Sequence, residues 1–219
     1  MSAVVLVYDL EGFSRFVNHP DVARYIPRFL NYVSNAMQTV VFGGHPYWTE
    51  TGDYEPVAAP VHEKFLGDGA LYLWTGTEKH FVRDLCNRLR DLRTNFHEIV
   101  RQATDIVPIT EVPRQVRFGI ARGDVYELRR NDDAAKLQSR EYVGMCINLA
   151  SRLQNYCPDV RLTISARAGM NESTRDKNDY VRVIAKRIKG FTPEYVILDR
   201  AEYEALSRAT REKYFTEGE

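Results

Sequence analysis

The order of apolar and polar residues along the chain predicts strands that alternate with helices. A continuous apolar, β-branched run at residues 3–8 ends at a carboxylate and predicts a buried strand. Apolar residues recur three and four positions apart over residues 21–37 and 79–107, which predicts two amphipathic helices. Residues 142–156 predict a loop followed by a helix. Later strands are predicted at residues 160–165, 181–188 and 194–198, before a polar C-terminal helix.

Two segments have the pattern of β-hairpins. Residues 62–74 contain two short apolar runs around a Gly-Asp-Gly turn that presents the carboxylate of Asp68. Residues 115–128 predict a second hairpin that turns at residues 122–123, and the charged segment 129–140 is predicted to be a mobile connection. Strands that alternate with helices in this way predict one α/β sandwich, with a mixed sheet and helices on one face.

Composition and charge narrow the classes of protein. Lys plus Arg and Asp plus Glu both number 30, so no overall field favours nucleic acid or an acidic membrane. Three cysteines without a CxxC pair predict reduced thiols and a cytoplasmic protein. No apolar stretch approaches the roughly 20 residues of a membrane helix, and the N-terminus has no basic segment typical of a signal peptide. We therefore expect no nucleic-acid partner, no membrane contact and no attached sensor domain.

Two carboxylates stand where they could bind metal ions. Asp9 ends the first predicted strand, and the backbone amides that follow it, at Gly12 and Phe13, are placed to cradle phosphate. If the first hairpin lies beside this strand, Asp68 joins Asp9 in a site for Mg²⁺ or Mn²⁺, and paired metals suit in-line phosphoryl displacement. Each pattern alone is equally typical of a strand-end cap or a simple Gly-Asp-Gly turn.

A polar pair on the helix within residues 142–156 suggests the complementary half of such a site. Asn148 and Arg152 are four positions apart, so the amide and the guanidinium share one helix face. Together they can orient a ribose oxygen and offset negative charge on a phosphorane-like transition state. The alternative is an exposed polar face without a role in chemistry.

Four segments in this order resemble the successive motifs of class III adenylate and guanylate cyclases. DLEGF, KFLGDG, RFGIARG and YVGMCINLASR are similar to D-x-x-G-F, K-x-x-G-D, R-x-G-I-x-x-G and G-x-x-x-N-x-A-x-R. The resemblance extends over residues 3–198 and implies one catalytic domain over residues 1–219, with a mainly antiparallel sheet and a ferredoxin-like core. It also implies the reaction: a nucleoside triphosphate closes to its 3′,5′-cyclic monophosphate and releases pyrophosphate, with two Mg²⁺ or Mn²⁺ ions per active site.

The resemblance further implies roles for individual residues. These are Asp9, Leu10 and Asp68 in the metal site, Asn148 and Arg152 as the transition-state pair, Lys64 and Glu141 at the base, and Gly12, Phe13 and Lys189 at the phosphates. Tyr54, from a segment that departs from the purine cyclases, is a further candidate at the base. In this family two catalytic domains pair head to tail, and each site takes its carboxylates from one domain and its Asn and Arg from the other. A homodimer with two composite sites is therefore expected.

The identity of the base stays open at this stage. A donor, Lys64, beside an acceptor, Glu141, suits adenine, cytosine and uracil equally. The preceding segment carries Tyr47, Trp48 and Tyr54, which either shrink the base pocket to fit a pyrimidine or cover a hydrophobic edge. The short chain looks similar to the pyrimidine cyclases of the bacterial Pycsar anti-phage systems. That likeness favours UTP as substrate, cyclic UMP as product and a separate effector that the cyclic nucleotide activates.

Other functions compete with this interpretation. Lys64 and Glu141 would also serve an adenylate cyclase that makes cyclic AMP. A non-catalytic nucleotide-binding dimerisation module could keep the same fold, although the metal and transition-state residues are all present. Met145 and Cys146 depart from the Asp-Thr that the family usually has after its Gly. A polymerase palm or diguanylate cyclase is disfavoured by the absence of a GGDEF-like stretch and by the neutral net charge.

Overall fold

The structure is a computed structural model in which strands and helices follow the predicted mixed order. It describes residues 1–43, 58–105, 107, 111–132, 137–170 and 178–217, with backbone only for 129–132 and 137–139. The segment with Tyr47, Trp48 and Tyr54 lies outside the described residues. The elements are β1 (Ser2–Glu11), α1 (Phe13–Val17), α2 (Ile26–Val41), β2 (His62–Phe65), β3 (Gly69–Thr75), α3 (Phe81–Thr104), β4 (Gln115–Asp124), β5 (Tyr126–Asp132), β6 (Leu137–Val143), α4 (Met145–Gln154), β7 (Leu162–Ser165), a 3-10 turn (Ala166–Ala168), β8 (Tyr180–Ala185), β9 (Glu194–Asp199), α5 (Arg200–Ala205), α6 (Arg208–Tyr214) and β10 (Phe215–Glu217).

Eight of the strands form one mixed sheet in the order β10-β8-β9-β7-β4-β1-β3-β2. Within the described residues β4 and β7 pair in parallel, and the other neighbours pair antiparallel. The predicted mixed, mainly antiparallel sheet is therefore confirmed. The central strand β1 pairs over its full length with β4, which places Asp9 opposite Arg117.

Helices cover both faces of this sheet. Val4, Leu6 and Tyr8 of β1 pack into the core beneath α2 and α3. The alternating residues Val5 and Val7 belong to a second core with α4. The prediction of helices on one face is thus wrong. A strand that is apolar at every position is buried on both sides, and the run at residues 3–8 already has that character.

The second predicted hairpin is wrong as well. Strand β4 does not turn at residues 122–123 but continues to Asp124, and β5 then pairs with β6 in a separate two-stranded sheet. Residues 129–132 and 137–140, predicted as part of a mobile connection, are strand residues of this hairpin. Gly123 looked like a turn residue, but it faces α4, where an added Cβ would lie 3.1 Å from the Cβ of Cys146. Close approach of a helix explains this glycine.

The first hairpin and the two long helices are confirmed. Strands β2 and β3 are joined by a turn in which Gly67 has a φ of 100°, a left-handed conformation that favours glycine. Helices α2 and α3 occupy the predicted apolar repeats with shifted ends. The polar C-terminal segment forms two short helices, α5 and α6, followed by β10. No helix in the described part of the chain combines the length and apolar character needed to cross a membrane.

Candidate active site

The structure brings Asp9 and Asp68 together at one end of the sheet. Asp9 pairs with Gly69 at the start of β3, and the N–H of Leu10 donates to the carbonyl of Asp68 at 3.1 Å. Gly69 makes this approach possible, because a Cβ there would lie 1.9 Å from the carbonyl oxygen of Tyr8. Burial, and then the charge of Asp68, raise the pKa of Asp9 to about 7.

This pair fits a divalent cation by its chemistry. Carboxylate oxygens are the hard ligands that Mg²⁺ and Mn²⁺ prefer, and two like charges in a half-buried place are relieved by a cation between them. The side chain of Leu10 is buried in the core beneath α2 and α3, so only its main-chain carbonyl is available as a ligand. Asp9 and Asp68 are therefore the two side chains that would hold metal.

Arg117 is a neighbour of this site that the sequence analysis did not assign. It lies directly opposite Asp9 across β1 and β4, and its Nη2 is 2.6 Å from Oε1 of Glu11. Its positive charge lowers the pKa of Asp9, against the larger effects of burial and Asp68. The sequence did point to this residue, because Arg117 is the first residue of the RFGIARG motif.

The phosphate-binding prediction falls at the turn after β1. Gly12 is exposed and has a φ of 86°, and Phe13 begins the short helix α1. Beside them is an open cleft of about 410 Å³ whose lining includes Gly12, Arg15 and Arg114. The lining also includes Glu11 and Glu111, so the cleft carries charges of both signs. The sequence analysis did not single out the two arginines.

Helix α4 presents two different faces. Asn148 and Arg152 are exposed, and within the described part of the chain neither has a hydrogen-bond or ion-pair partner. The opposite face is buried on β4, where a Cβ on Gly119 would lie 2.1 Å from the carbonyl oxygen of Ala150. The structure thus places the predicted transition-state pair on one helix face, turned away from the sheet.

Gln154, also missed in the sequence, lies on the face of this helix that packs on β1 and β4 beside Asp9. Its side chain is buried, and its interaction with the Asp9 carboxylate lowers the pKa of Asp9. At about 100° per residue, Gln154 lies ~160° around α4 from Arg152. One face of α4 therefore lies beside Asp9 of the same chain, and the opposite face exposes Arg152 to solvent.

Lys64 and Glu141 meet in the structure. Lys64 is on β2 and Glu141 on β6, and Nζ of Lys64 donates to Oε2 of Glu141 at 2.8 Å. The rings of His62 and Tyr142, from the same two strands, are 5.1 Å apart and hold the β5–β6 hairpin against β2. The donor and the acceptor predicted to read the base are thus adjacent. Tyr54 lies outside the described residues.

Lys189 is not near Asp9 within one chain. It is exposed in the loop that joins β8 to β9. Because β9 is antiparallel to β7, and β7 is parallel to β4, this loop lies where β4 ends. Asp9 lies where β4 begins, at the other end of the sheet. One chain alone cannot place Lys189 on a phosphate beside Asp9.

Comparison with known proteins places the fold. No family model matches the chain, and no curated protein matches it in sequence. Among solved structures, the guanylyl cyclase Cya2 matches with a TM-score of 0.66 and 20% identity over 91% of each chain. The adenylyl cyclase CyaB from P. aeruginosa matches with a TM-score of 0.61 and 18% identity, over 90% of this chain and 93% of that one.

A third structure carries a nucleotide. It is the guanylate cyclase domain of RhGC from Catenaria anguillulae in complex with GTP, with a TM-score of 0.55 and 15% identity, over 91% of this chain and 97% of that one. Identities this low establish the fold alone. The eight-stranded mixed sheet with helices on both faces is the fold of the class III nucleotidyl cyclase catalytic domains.

Proposed function

We propose that this chain is a metal-dependent nucleotidyl cyclase that converts a nucleoside triphosphate, with UTP favoured, to its 3′,5′-cyclic monophosphate. The observation that carries the proposal is the proximity of Asp9 and Asp68 at the end of β1 in a chain with a cyclase fold. One fold can support many functions, so the function is inferred from the chemistry of the site residues. Two juxtaposed carboxylates beside an exposed glycine turn provide the parts that phosphoryl transfer needs: metal ligands and a phosphate-binding backbone.

The metal ions would be held by Asp9 and Asp68. Bound there, Mg²⁺ or Mn²⁺ would activate the attacking 3′-hydroxyl and neutralise the triphosphate. The turn at Gly12 and Phe13 offers backbone N–H groups to the phosphates, and Arg15 adds positive charge from the adjacent cleft. Fixed ligands of this kind lower the barrier mainly by positioning and by electrostatics.

The bond changes balance without a protein nucleophile. The ribose 3′-oxygen forms a bond to the α-phosphorus and loses its proton to water, and the bond from that phosphorus to the oxygen bridging to the β-phosphorus breaks. Pyrophosphate leaves with the electron pair. Negative charge builds on the equatorial oxygens of the α-phosphorus, where the guanidinium of Arg152 would stabilise it and the amide of Asn148 would orient the ribose.

A complete site requires two copies of the chain. Asn148 and Arg152 face outward from α4, and Lys189 lies at the far end of the sheet from Asp9, so each needs a second protomer to reach the carboxylates. Large exposed apolar side chains near these groups are suited to burial between two copies. They are Phe65, Leu66, Tyr126, Val143 and Met145. We therefore propose a head-to-tail homodimer with two composite sites.

The base would be read by Lys64 and Glu141. With uracil, Lys64 donates to O4 and Glu141 accepts from N3–H; with cytosine, Lys64 donates to N3 and Glu141 accepts from the amino group. The preference for UTP is proposed from the likeness to the Pycsar pyrimidine cyclases. Tyr54 is proposed to reduce the size of the base pocket so that it fits a pyrimidine. In that setting cyclic UMP would serve as a second messenger that switches on a separate effector during phage infection.

An adenylate cyclase is the second candidate. The Lys64–Glu141 pair fits adenine as well, with N1 accepting from Lys64 and the amino group donating to Glu141. This candidate shares the metals, the dimer and the mechanism. Only the product distinguishes it.

The deciding experiment is incubation of purified protein with ATP, GTP, CTP and UTP separately in Mn²⁺, with products identified by mass. The matched control is Asp9→Ala, which should form none of them. Cyclic UMP supports the proposal, and cyclic CMP would keep the pyrimidine cyclase but change its base. Cyclic AMP alone would make the chain an adenylate cyclase. Tight binding of nucleotide without any product would favour a non-catalytic dimerisation module.

A further inference from the structure

The buried side chain of Gln154 carries an amide donor that no well-formed hydrogen bond satisfies in the described part of the chain. It is 6% exposed, and its Nε2 has no well-formed hydrogen bond with any described atom. A buried amide donor without a partner destabilises the fold, so such a group calls for an explanation. An apolar residue would fill the same volume on the buried face of α4 without that cost.

Strand alternation shows what the amide faces. Val5 and Val7 of β1 point toward α4, and Asp9 is two residues further along the same strand, so its carboxylate lies on the same face. Gly119 of β4 pairs with Val7, and a Cβ on Gly119 would lie 2.6 Å from the backbone N of Gln154. The last turn of α4 is therefore held against β1 and β4 immediately beside Asp9.

We propose that Gln154 is a positioning residue that orients the Asp9 carboxylate for a divalent cation and ties it to the helix carrying Asn148 and Arg152. The carboxylate has two oxygens with several acceptor directions, so it can accept from the Gln154 amide while another lone pair binds metal. Outer partners of this kind fix the direction of a metal ligand, and their loss typically lowers metal affinity about 10- to 100-fold.

The inference deepens the proposed function and rests on it. In the homodimer, the outer face of one α4 helix would serve one active site while Gln154 on its inner face steadies Asp9 in the other. One helix would therefore contact both active sites. A displacement of α4 at either site would change the carboxylate at the other.

The test compares Gln154→Met, which keeps the length of the side chain and removes the amide, with Leu153→Met as a control on the same buried face of α4. Gln154→Leu is the second variant if the first does not fold. Mn²⁺ affinity is measured by electron paramagnetic resonance in the purified protein without nucleotide, and thermal melting reports the fold. We expect Gln154→Met to weaken Mn²⁺ binding about tenfold at an unchanged or higher Tm, and Leu153→Met to bind as the parent does.

Kinetics supply a second readout that a merely structural role would not produce. At saturating metal, kcat should fall while KM for the triphosphate stays unchanged, and the Mg²⁺ concentration at half-maximal rate should rise about tenfold. A folded Gln154→Met or Gln154→Leu protein with Mn²⁺ affinity within twofold of the parent overturns the inference.

Failure of the inference can be told from failure of the proposed function. If the parent binds Mn²⁺ through Asp9, as Asp9→Ala reveals, but cyclises no triphosphate, the function fails while the Gln154 comparison still gives its answer. If the parent is an active cyclase and Gln154→Met binds Mn²⁺ normally, only the inference fails. A parent that binds no Mn²⁺ and cyclises no triphosphate overturns both. If the parent is active but binds Mn²⁺ only with nucleotide, an unchanged Mg²⁺ concentration at half-maximal rate in Gln154→Met overturns the inference.

Discussion

Nζ of Lys64 lies 2.8 Å from Oε2 of Glu141, although 77 positions separate the two residues and they belong to different sheets. Both side chains are partly exposed, so the ion pair between them contributes only about 0–1 kcal/mol. If a base enters between donor and acceptor as proposed, it would replace this weak ion pair with two directed hydrogen bonds. The pair would therefore be opened at little cost in free energy.

Removing Lys64 or Glu141 should reduce the selectivity of the enzyme for one nucleotide base over the others. We expect Lys64→Ala and Glu141→Ala to lower kcat/KM for the preferred triphosphate roughly 10- to 100-fold, because a hydrogen bond to a charged group contributes about 1.5–3 kcal/mol. The rates with the other triphosphates should change much less. The measurement is kcat/KM for all four, with the exposed Lys79→Ala as control. An unchanged preference would show that other residues read the base.

Removing either metal carboxylate should abolish turnover and leave the fold intact. Asp9→Ala and Asp68→Ala each delete half of the ligand pair, and the remaining carboxylate cannot hold the cation in place. Product formation and circular dichroism are the measurements. Asp84→Ala, which removes an exposed carboxylate on α3, is the control and should retain full activity. Activity in either Asp9→Ala or Asp68→Ala would contradict the metal assignment.

Two inactive variants should restore activity when mixed. Arg152→Ala alone should lower kcat far more than substrate affinity, because its guanidinium would act on charge in the transition state. In a mixture of Asp9→Ala and Arg152→Ala, half of the dimers are mixed, and each has one site with both residues intact. Activity should therefore reach about a quarter of the parent value once subunits exchange. If the mixture stays inactive although the subunits exchange, both residues act within one chain.

The stability of the metal-free protein should depend on pH through Asp9. Its pKa rises from 3.8 to about 7 on folding because of burial and Asp68. Stability from the protonated carboxyl is thus fully present below about pH 3.8 and is lost as pH rises through about 7. In EDTA, Asp9→Asn should raise Tm at pH 8 and raise it clearly less at pH 5, because the loss builds up between pH 3.8 and about 7. Thermal melts at the two pH values test this, and an equal effect at both would contradict it.

The contact between α4 and β4 should tolerate no side chain at Gly119. Gly119→Ala places a Cβ 2.1 Å from the carbonyl oxygen of Ala150, so the helix must shift, at a cost of about 1–3 kcal/mol of unfolding free energy. Gly123→Ala is the matched comparison, because its Cβ meets only a side-chain atom at 3.1 Å. Denaturant melts should show the larger loss for Gly119→Ala, and its kcat should fall as α4 moves. Equal losses would mean that α4 adapts at both positions.

Local patterns predicted much of the fold. The apolar run of β1, the turn at Gly67 and the three-and-four spacing in α2 and α3 specify their elements, because each depends on neighbours along the chain. The error in the second hairpin has a physical cause. In the sequence, Gly123 is compatible with a turn and equally with a strand position that a helix approaches closely. Only the packing of Cys146 against Gly123 in the structure distinguishes these two roles.

By itself, the sequence determined the order of the motifs and hence the residues worth testing: Asp9, Asp68, Asn148 and Arg152. The tertiary structure decided what surrounds them. It set Arg117 and Gln154 against Asp9, joined Lys64 to Glu141 across two sheets, and put Lys189 at the far end of the sheet. These contacts link residues far apart in the chain, and strand register and helix packing, which no local spacing encodes, bring them together.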